Sequence, residues 1–469
     1  MTTYVLGAGP AGMAVVDGLV DAKGGDFVIL DKAPQVGGLA QTLHWEKIGS
    51  HDLGPHKIFS LDHDLISRVE NLLQPADWLT RDKVSSIFMN GHYLPYPPSP
   101  FALSGVFGLF AFSKMVMGYG LALLSSLFRK TAPRTFEEDL VGRMGAPLYS
   151  VLFKPIAEKL WGNPKELDVK LSLGRVQTPS LIEIIGRLLK LKNNSEFEAL
   201  TFRYPKKGLG QIWSAIEKKA KGSGQFLLGH NVTRLVTNNE RVSEIHYQSA
   251  DGEGVIHVGV NDDVVSTLPL TLATTLLSGS LPSHIPDMAK NVIGLNDLLL
   301  VFVHVAQKSL IKESWIFIPD PKIIFHRLSE QESFDPEMTP NGSIVCCEIM
   351  SGKDRLLTGL TDEELCKEAI QGLNSMGYKD FNVLSKRVIR LPKSYPVFRT
   401  GFETGLAEII QTLDKFENFR TVGRQGAFNY IGTLDAMDIG YGVAKWLAEG
   451  KKVPWQQERE RTNHYPVLD

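Results

Sequence analysis

The sequence predicts an α/β fold that opens with a parallel β–α–β unit, and three neighbouring segments support this prediction. Thr3–Leu6 (TYVL) is a short apolar run of strand-forming residues, and Phe27–Asp31 (FVILD) is a second run of the same kind. Between them lie a glycine-rich turn and Met13–Val20, whose composition suits a helix. Because a helix carries the chain from the first strand to the second, the two strands are expected to be parallel neighbours in one sheet.

The turn after the first strand has the spacing G-x-G-x-x-G. Gly7 permits a tight turn, Gly9 lets the backbone approach a pyrophosphate, and Gly12 lets the helix pack closely on the strand. The amino end of the helix adds a partial positive charge for phosphate groups. Asp31 stands nineteen residues after Gly12, where a carboxylate can accept hydrogen bonds from a ribose. The alternative is a structural turn; the favoured prediction is a dinucleotide site that includes Gly7, Gly9, Pro10, Ala11, Gly12 and Asp31.

A second pair of glycines follows the acidic residue. The segment Asp31–Leu39 (DKAPQVGGL) resembles the extended FAD fingerprint of flavoproteins in the glutathione reductase and amine oxidase superfamily. Its two glycines would allow a second approach of the backbone to the pyrophosphate. NAD dehydrogenases usually lack this pair, so the segment favours FAD over NAD, with an ordinary surface turn as the alternative. The predicted cofactor site therefore gains Lys32, Gly37, Gly38 and Leu39.

The composition is that of a packed globular protein and excludes a disordered or fibrous chain. The 469 residues leave room for two or three domains. Lysine and arginine number 50 against 52 aspartates and glutamates, which gives a net charge of -2 and a pI of about 6.7. This balance offers no overall positive field to attract nucleic acid, so no nucleic-acid partner is predicted.

Cysteine usage and the first residues predict a cytoplasmic protein. The three cysteines, Cys346, Cys347 and Cys366, form no C-x-x-C pair, and a reduced compartment is the expected environment. The opening MTTYVLGAGPAG has no basic stretch followed by an apolar run, so no signal peptide is predicted. The sequence also contains no spacing typical of a metal site, and no metal is predicted.

Several segments along most of the chain resemble the UDP-galactopyranose mutase family. They resemble equally its protoporphyrinogen-oxidase-like relatives within the amine oxidase superfamily. The segments are His51–Phe59, Gly91–Pro97, Leu152–Asp168, Phe202–Gly210, Val264–Pro269 and Thr421–Tyr430. The resemblance is stronger for the superfamily than for any one activity.

The resemblance implies a role for particular residues. His56 falls where the mutases place a histidine on a loop near the flavin, and Trp161 matches the tryptophan of a Trp-Gly motif that lines the sugar pocket. Arg175 falls near the position in the sequence at which these enzymes have an arginine that contacts the substrate. Each could instead be an ordinary structural residue. The candidate catalytic residues are His56, Trp161, Arg175 and Tyr430.

The later part of the chain adds candidate cofactor contacts by the same resemblance. Gly423 and Arg424 match a Gly-Arg pair near the flavin, and Tyr430 matches a tyrosine near the flavin and the substrate diphosphate. The backbone at Val232 would meet the adenine. A late helix that begins near Met437 would direct its amino end toward the flavin, where helix-end amides suit negative charge.

The resemblance implies a fold in two discontinuous parts. The first is an FAD-binding Rossmann-like domain of the glutathione-reductase type, and the second is a mixed α+β substrate domain. We expect residues 1–90, 201–280 and 401–469 to build the FAD domain. Residues 91–200 would supply the helical part of the substrate domain, and residues 281–400 its sheet.

Two activities fit these features. The first prediction is an FAD-dependent oxidoreductase in which the flavin accepts a hydride from an organic substrate. The alternative is a flavin-dependent sugar-nucleotide mutase. It is weakened because Ile156 replaces the tyrosine that precedes the mutase Trp-Gly motif, and because Lys290–Leu300 holds no second arginine for a diphosphate. The predicted partner is a small-molecule, lipid-linked or sugar-nucleotide substrate, and the oligomeric state is left open.

One segment, Phe101–Phe128, contains a single charged residue, Lys114, in 28 positions. Its length could span a bilayer, although a lysine near the middle would be costly there. Three environments remain open: a buried helical pair in the substrate domain, a peripheral contact with a membrane on its cytoplasmic face, and a true span.

Overall fold

The computed structural model describes residues 1–128, 131–175, 201–462 and 465. The strands are β1 (Thr2–Leu6), β2 (Asp26–Asp31), β3 (Thr42–Trp45), β4 (Gly49–Asp52), β5 (Trp78–Asp82), β6 (Ser85–Met89), β7 (His92–Pro95), β8 (Thr201–Pro205), β9 (Gly224–Leu228), β10 (Asn231–Asn238), β11 (Arg241–Ser249), β12 (Gly252–His257), β13 (Asp263–Ser266), β14 (Gly294–Val305), β15 (Trp315–Phe317), β16 (Arg327–Glu330), β17 (Ser343–Ser351), β18 (Val383–Val397) and β19 (Phe419–Thr421). The α-helices are α1 (Pro10–Ala22), α2 (His63–Glu70), α3 (Pro100–Ser126), α4 (Phe136–Met144), α5 (Ala146–Leu152), α6 (Lys154–Leu160), α7 (Val169–Arg175), α8 (Gly210–Ala220), α9 (Leu270–Leu276), α10 (His284–Val292), α11 (Asp362–Ser375), α12 (Phe402–Leu413), α13 (Gly423–Gly426), α14 (Thr433–Ala448) and α15 (Trp455–Arg461).

A five-stranded parallel sheet has the order β19-β13-β1-β2-β9. In its register, Val5 of β1 is paired with Ile29 of β2 on one side and with Val265 of β13 on the other. All three side chains are buried, as expected for a parallel sheet that is covered on both faces. The predicted β–α–β unit is confirmed, and the strands of this sheet come from three well-separated parts of the chain.

Helices α1 and α14 pack tightly against each other beside this sheet. A Cβ atom at Gly440 of α14 would lie 2.3 Å from the carbonyl oxygen of Ala11 in α1. A Cβ atom at Gly18 of α1 would lie 2.6 Å from the Cβ of Ala444. These glycines let the two backbones approach closely, and this packing fastens the late helix to the first one.

A second sheet of seven strands is mixed, with the order β18-β14-β17-β16-β15-β6-β7. Its neighbours are antiparallel except for β15 and β6, which are parallel. The parallel sheet and this mixed sheet together confirm the predicted fold class. The expected division placed residues 1–90 in the FAD domain. However, β6 (Ser85–Met89) lies in the mixed sheet, since Ser85–Ile87 are paired with Trp315–Phe317.

Smaller sheets complete the molecule. The strands β10, β11 and β12 form an antiparallel sheet, and β3 is paired with β4 and β5 with β8. Val232 on β10 belongs to a buried apolar cluster that also contains Leu6 and Leu30 from the parallel sheet. The three-stranded sheet therefore packs against the dinucleotide-type unit, next to the end of β2.

Helix α3 is mostly exposed, so the interpretation of residues 101–128 as a buried helical pair is wrong. Only three of its side chains, Leu103, Met115 and Ala122, are buried. The helix is interrupted at Gly108, whose φ of 76° and ψ of 161° lie outside the helical region. Among the described residues, α3 is the one helix long and apolar enough to cross a membrane by length and composition.

The packing of α1 on α14 leads to a stability prediction. Gly440→Ala should lower the free energy of unfolding by about 1–3 kcal/mol, because the new methyl group has no room beside the Ala11 carbonyl. Gly120→Ala in α3 is the matched control, since a Cβ atom there meets nothing within 4 Å. It should be neutral or slightly stabilising. Denaturant unfolding of the two variants measures the difference, and equal stabilities would contradict the packing argument.

Candidate functional site

The turn between β1 and α1 accepts only glycine at two of its predicted positions. Gly7 has a φ of +103°, and a Cβ atom there would lie 2.3 Å from Oγ1 of Thr267. A Cβ atom at Gly12 would lie 2.0 Å from the carbonyl oxygen of Gly7. The turn therefore folds back on the first turn of α1, where Pro10 is the first residue and Ala11 is buried.

The second glycine pair lies directly against the first turn. Gly37 donates a backbone hydrogen bond of 2.8 Å to the carbonyl of Ala8. A Cβ atom at Gly38, which has a φ of +54°, would lie 2.9 Å from the Cα of Gly9. Residues 9 and 38 together form a surface of bare backbone, which we call the glycine surface, and the buried Gly12 lies directly behind it. Of the neighbouring predicted residues, Lys32 is exposed and Leu39 is partly exposed.

Asp31 joins the two glycine-containing loops. Its carboxylate accepts a hydrogen bond of 2.7 Å from the backbone N–H of Ala8 and one of 2.8 Å from that of Ala33. The backbone carbonyl of Asp31, the last residue of β2, accepts a hydrogen bond from the N–H of His230. Val232 follows His230 by two residues and therefore lies near the end of β2. The structure thus brings Asp31 and the Val232 segment together, and their contacts with ribose and adenine stay predictions.

The C-terminal part of the chain returns to the same place. Gly423, at the start of α13, has a φ of +86°, and a Cβ atom there would lie 3.0 Å from the Cβ of Ala11. Met437 on α14 is fully buried in the apolar cluster that contains Ala11 and Met13. Gly423 therefore lies at the edge of the glycine surface, whereas the Met437 side chain belongs to the core behind it.

The residues at this position fit FAD. A dinucleotide requires close approach of its pyrophosphate to backbone N–H groups at a helix amino end. The glycine surface supplies bare backbone at the start of α1, and any side chain on it would fill that space. Nearby loops also hold buried polar atoms without hydrogen-bond partners, namely Nδ1 of His56, Nε of Arg424 and Nδ2 of Asn429. Buried polar atoms are normally paired, and these three are available to hydrogen-bond to a bound molecule.

Arg424 lies between two tyrosine rings. The central carbon of its guanidinium is 5.0 Å from the ring centre of Tyr395 and 5.2 Å from that of Tyr430. Its Nη1 donates a hydrogen bond of 2.9 Å to the carbonyl of Ile431. These contacts hold the guanidinium in place by cation–π attraction and one hydrogen bond. The buried Nε is left free to donate to another molecule.

Trp161 belongs to the same group. Its Nε1 donates a hydrogen bond of 3.3 Å to the hydroxyl of Tyr430, and the two rings meet edge to face. Phe136 also packs on the indole, with ring centres 5.7 Å apart. We call Arg424, Tyr395, Tyr430 and Trp161 the Arg424 cluster. It brings together three of the predicted residues and adds Tyr395, which sequence reasoning missed.

His56 lies on the loop after β4 and is neutral at pH 7. Burial, together with the positive charges of Arg327 and Arg424, lowers the pKa of its imidazole to about 4. A backbone hydrogen bond at Gly54 opposes this shift. The imidazole thus lies close enough to two guanidinium groups to feel their positive charges, and it adds no positive charge of its own.

Arg327 is a second site residue that the sequence did not reveal. Its Nε and Nη2 donate hydrogen bonds of 2.5 and 2.8 Å to the two oxygens of the buried Glu348 carboxylate. The two residues are directly opposite in the register of β16 and β17. Gly54 lies over this pair, since a Cβ atom there would be 3.5 Å from the Glu348 carboxylate. Lys290–Leu300 contains no arginine, and the second guanidinium lies instead at Arg327, on the strand paired with β17.

A buried polar network fixes the strand that leads to His56. The Asp52 carboxylate accepts hydrogen bonds from the hydroxyls of Thr42 and Tyr204 and from the backbone N–H of Leu209. Burial nevertheless raises the pKa of Asp52 to about 6. The neighbouring His51 is also buried, and burial lowers its pKa to about 4. Neither residue was predicted, because the network joins side chains that are distant in the sequence.

Arg175 is the last residue of α7, and its side chain lies outside the described residues. Its predicted contact with the substrate stays a prediction. The groups of His, Cys, Asp and Glu in the described part of the chain include none that could hold a metal ion.

Comparison with protein families gives two matches. Residues 128–404, more than half of the chain, match the family described as flavin containing amine oxidoreductase. Residues 5–72 match the NAD(P)-binding Rossmann-like domain. Together with the glycine surface, these matches confirm FAD as the cofactor.

Several solved structures share the fold. Reduced UDP-galactopyranose mutase superposes with a TM-score of 0.84 at 18% identity, over 99% of this chain and 96% of that chain. A provisionally assigned protoporphyrinogen oxidase from Exiguobacterium sp. 255-15 gives 0.73 at 14% identity, over 96% and 99%. The CLA-producing fatty acid isomerase from P. acnes gives 0.60 at 13% identity, over 96% and 98%. The resemblance indicated by the sequence motifs is confirmed, and at these identities the likeness concerns the fold alone.

The role of Asp31 in joining the two loops leads to a prediction about cofactor loading. Asp31→Asn should lower the fraction of protein that retains FAD, because the amide offers one acceptor where two backbone N–H groups need acceptors. Asp26→Asn, at the exposed start of the same strand, is the matched control and should retain FAD. The ratio of flavin to protein absorbance after purification measures this fraction. Equal ratios for the two variants would show that the carboxylate is dispensable.

The buried pair His51 and Asp52 leads to two opposite pH effects. A histidine whose pKa falls from 6.5 to about 4 on folding stabilises the protein above pH 6.5, and this stability is lost as the pH falls toward 4. A carboxyl group whose pKa rises from 3.8 to about 6 on folding adds stability as the pH falls from 6 to 4. Each effect amounts to about 3 kcal/mol at about 1.4 kcal/mol per pKa unit.

His51→Asn should therefore lessen the loss of stability between pH 7 and pH 4, and Asp52→Asn should increase it. The free energy of unfolding of the wild type and both variants is measured by denaturant unfolding at about pH 4, 5, 6 and 7, which resolves each titration. Parallel curves for all three proteins would contradict the assigned protonation states.

Proposed function

We propose that this chain, which belongs to the flavin containing amine oxidoreductase family, is an FAD-dependent oxidoreductase that removes a hydride from an anionic organic substrate. The bound FAD supplies the redox chemistry, and the protein supplies binding, orientation and electrostatics. The observation that carries the proposal is the Arg424 cluster, in which a fixed guanidinium with a free buried N–H lies among aromatic rings.

The first part of the proposal concerns the residues that would hold FAD. The glycine surface would lie against the pyrophosphate at the amino end of α1, with Asp31 near the ribose and the Val232 backbone near the adenine. Gly423 would border the other side. The proposed cofactor contacts are Gly7, Gly9, Pro10, Ala11, Gly12, Asp31, Lys32, Gly37, Gly38, Leu39, Val232, Gly423 and Arg424, and the buried Met437 would support them from the core.

The second part concerns the substrate. An arginine keeps its charge at any ordinary pH, and its planar group suits a carboxylate or a phosphate. The rings of Tyr395 and Tyr430 flank it, and Trp161 packs on Tyr430, so the guanidinium is partly shielded from water and its attraction to an anion is strengthened. We infer a substrate that carries an anionic group together with a ring or another planar apolar part. Arg175 is proposed as a further contact for this substrate.

His56 is proposed to position the reacting groups by hydrogen bonding. It is neutral at pH 7, and its buried Nδ1 has no partner within the protein. That atom can therefore hydrogen-bond to the cofactor or the substrate. The Glu348 carboxylate is held by both arms of Arg327, so it is poorly suited to act as a general base. The described site therefore suits hydride removal, for which orientation and dryness are the main requirements of the protein.

One observation favours a second candidate, a mutase-like isomerase acting on a sugar nucleotide. Arg327 is a second guanidinium near His56, and a diphosphate binds best between two such groups. The bond between Arg327 and Glu348 reduces the charge available for a diphosphate, and Ile156 still stands where a mutase has tyrosine. For these reasons the oxidoreductase is the first proposal.

The two candidates differ in their redox balance. FAD-loaded protein is mixed without oxygen with protoporphyrinogen, with amines and with UDP-galactopyranose, and the flavin absorbance is followed. Loss of the oxidised-flavin band with any of these substrates, and its return with oxygen or quinone, is the expected result for an oxidoreductase. Conversion of UDP-galactopyranose only after dithionite reduction, with no net oxidation, would replace the first proposal by the second.

The role of Arg424 is tested by a conservative change. Arg424→Lys should raise KM roughly tenfold or more with a smaller change in kcat, because lysine cannot keep the planar group between the two rings. Arg390→Lys is the matched control, since Arg390 lies on β18 and is paired with the exposed Asp362. An unchanged KM in Arg424→Lys would remove this residue from the substrate site.

A further inference from the structure

Helix α3 presents an apolar face that no described part of the chain covers. The exposed fraction is 88% for Phe101, 80% for Leu109, 74% for Phe110, and 60% for both Leu121 and Leu124. Exposed apolar patches of this kind are rare on soluble proteins and mark a surface that contacts a partner or a membrane.

The polar groups of α3 are compatible with an apolar environment. Its serine hydroxyls donate to the carbonyl oxygen three residues earlier, as seen at Ser104, Ser113, Ser125 and Ser126. The ammonium of Lys114 lies 4.3 Å from the ring centre of Phe110. Its long apolar stem can pass along the helix while the charge reaches the water. The face therefore carries few polar groups that would lose hydrogen bonds in lipid.

The charged residues within α3 and in the segments that directly flank it are all basic, and the acidic residues Glu137, Glu138 and Asp139 follow in the first turn of α4. Residues 84–136 contain no aspartate or glutamate, but they contain Lys114, Arg129, Lys130 and Arg134. Basic residues next to an apolar helix face attract anionic lipid headgroups. In a symmetric dimer built on this face, the same positive charges would meet one another. The charge pattern thus favours an anionic membrane over a second copy of the chain.

Both halves of α3 are fastened to the same body of the protein. Leu103 packs in an apolar cluster with Ile87 and Leu94 from β6 and β7. In the other half, a Cβ atom at Gly118 would lie 2.7 Å from Cδ of Pro147 in α5. A helix that crossed a bilayer would carry these two ends to opposite sides. The contacts therefore fit a helix that lies on the membrane surface.

We propose that α3 docks this protein on the surface of an anionic bilayer, with its exposed face inserted at the boundary between headgroups and acyl chains. Helix α5 lies between this surface and the proposed substrate site. Leu148 and Leu152 of α5 pack with the α3 cluster, and Tyr149 packs with Trp161. Docking would hold the Arg424 cluster about one helix layer from the membrane.

Vesicle flotation of the FAD-loaded full chain tests the docking. The wild type should float with phosphatidylcholine vesicles that contain phosphatidylglycerol, and less with phosphatidylcholine alone. The triple variant Phe110→Ser, Leu121→Ser, Leu124→Ser should bind roughly tenfold less tightly or worse, because it loses large inserted side chains. The control variant Val260→Ser, Leu356→Ser removes two side chains that are 82% and 76% exposed elsewhere, and should float like the wild type.

Retained flavin absorbance shows that each variant is folded. Lys114→Glu should lower binding to the anionic vesicles severalfold. Absence of flotation of the wild type, or equal flotation of the triple variant, would overturn the proposal. A wild-type dimer that becomes a monomer in the triple variant, without flotation of either, would overturn it in favour of a contact between two copies.

Discussion

The contact of bare backbone around the amino end of α1 is the constraint on which the rest of the site depends. Gly12 lies against the carbonyl of Gly7, Gly38 lies against Gly9, and Gly423 lies against Ala11. Each contact is too close for a side chain. Since the helix end is a weak positive pole, these contacts also keep it accessible to phosphate groups. One local arrangement thus sets the position of the three chain segments that meet there, and it is the proposed position of the cofactor pyrophosphate.

The proposed substrate side of the site depends on both sheets. Arg424 comes from the segment between β19 and α14, next to the glycine surface, whereas Tyr395 comes from the edge strand of the mixed sheet. Trp161 comes from the end of α6 and reaches Tyr430 through a hydrogen bond. The Arg424 cluster therefore forms only when the two parts of the molecule are packed together. Such a site can couple substrate binding to the position of the cofactor.

Burial and neighbouring groups decide which side chains of the site carry a charge that a bound molecule could meet. His56 is neutral because burial and two neighbouring guanidinium groups disfavour its protonated form. Arg327 keeps its charge but shares it with Glu348. Arg424 is held by rings and one carbonyl, and these groups do not neutralise it. The positive charge that an anionic substrate would meet is therefore mainly that of Arg424.

The sequence by itself determined the features that depend on local stereochemistry. The glycine turn, the acid at the end of β2 and the second glycine pair could be predicted because each is a short-range requirement of the backbone. Tertiary structure alone decided the pairing of Arg327 with Glu348, the position of Tyr395 and the assignment of β6 to the mixed sheet. It also decided the exposure of α3, because an apolar helix has the same composition whether protein or another medium covers it. These features depend on which distant segments become neighbours, and periodicity and spacing along one chain carry no information about that.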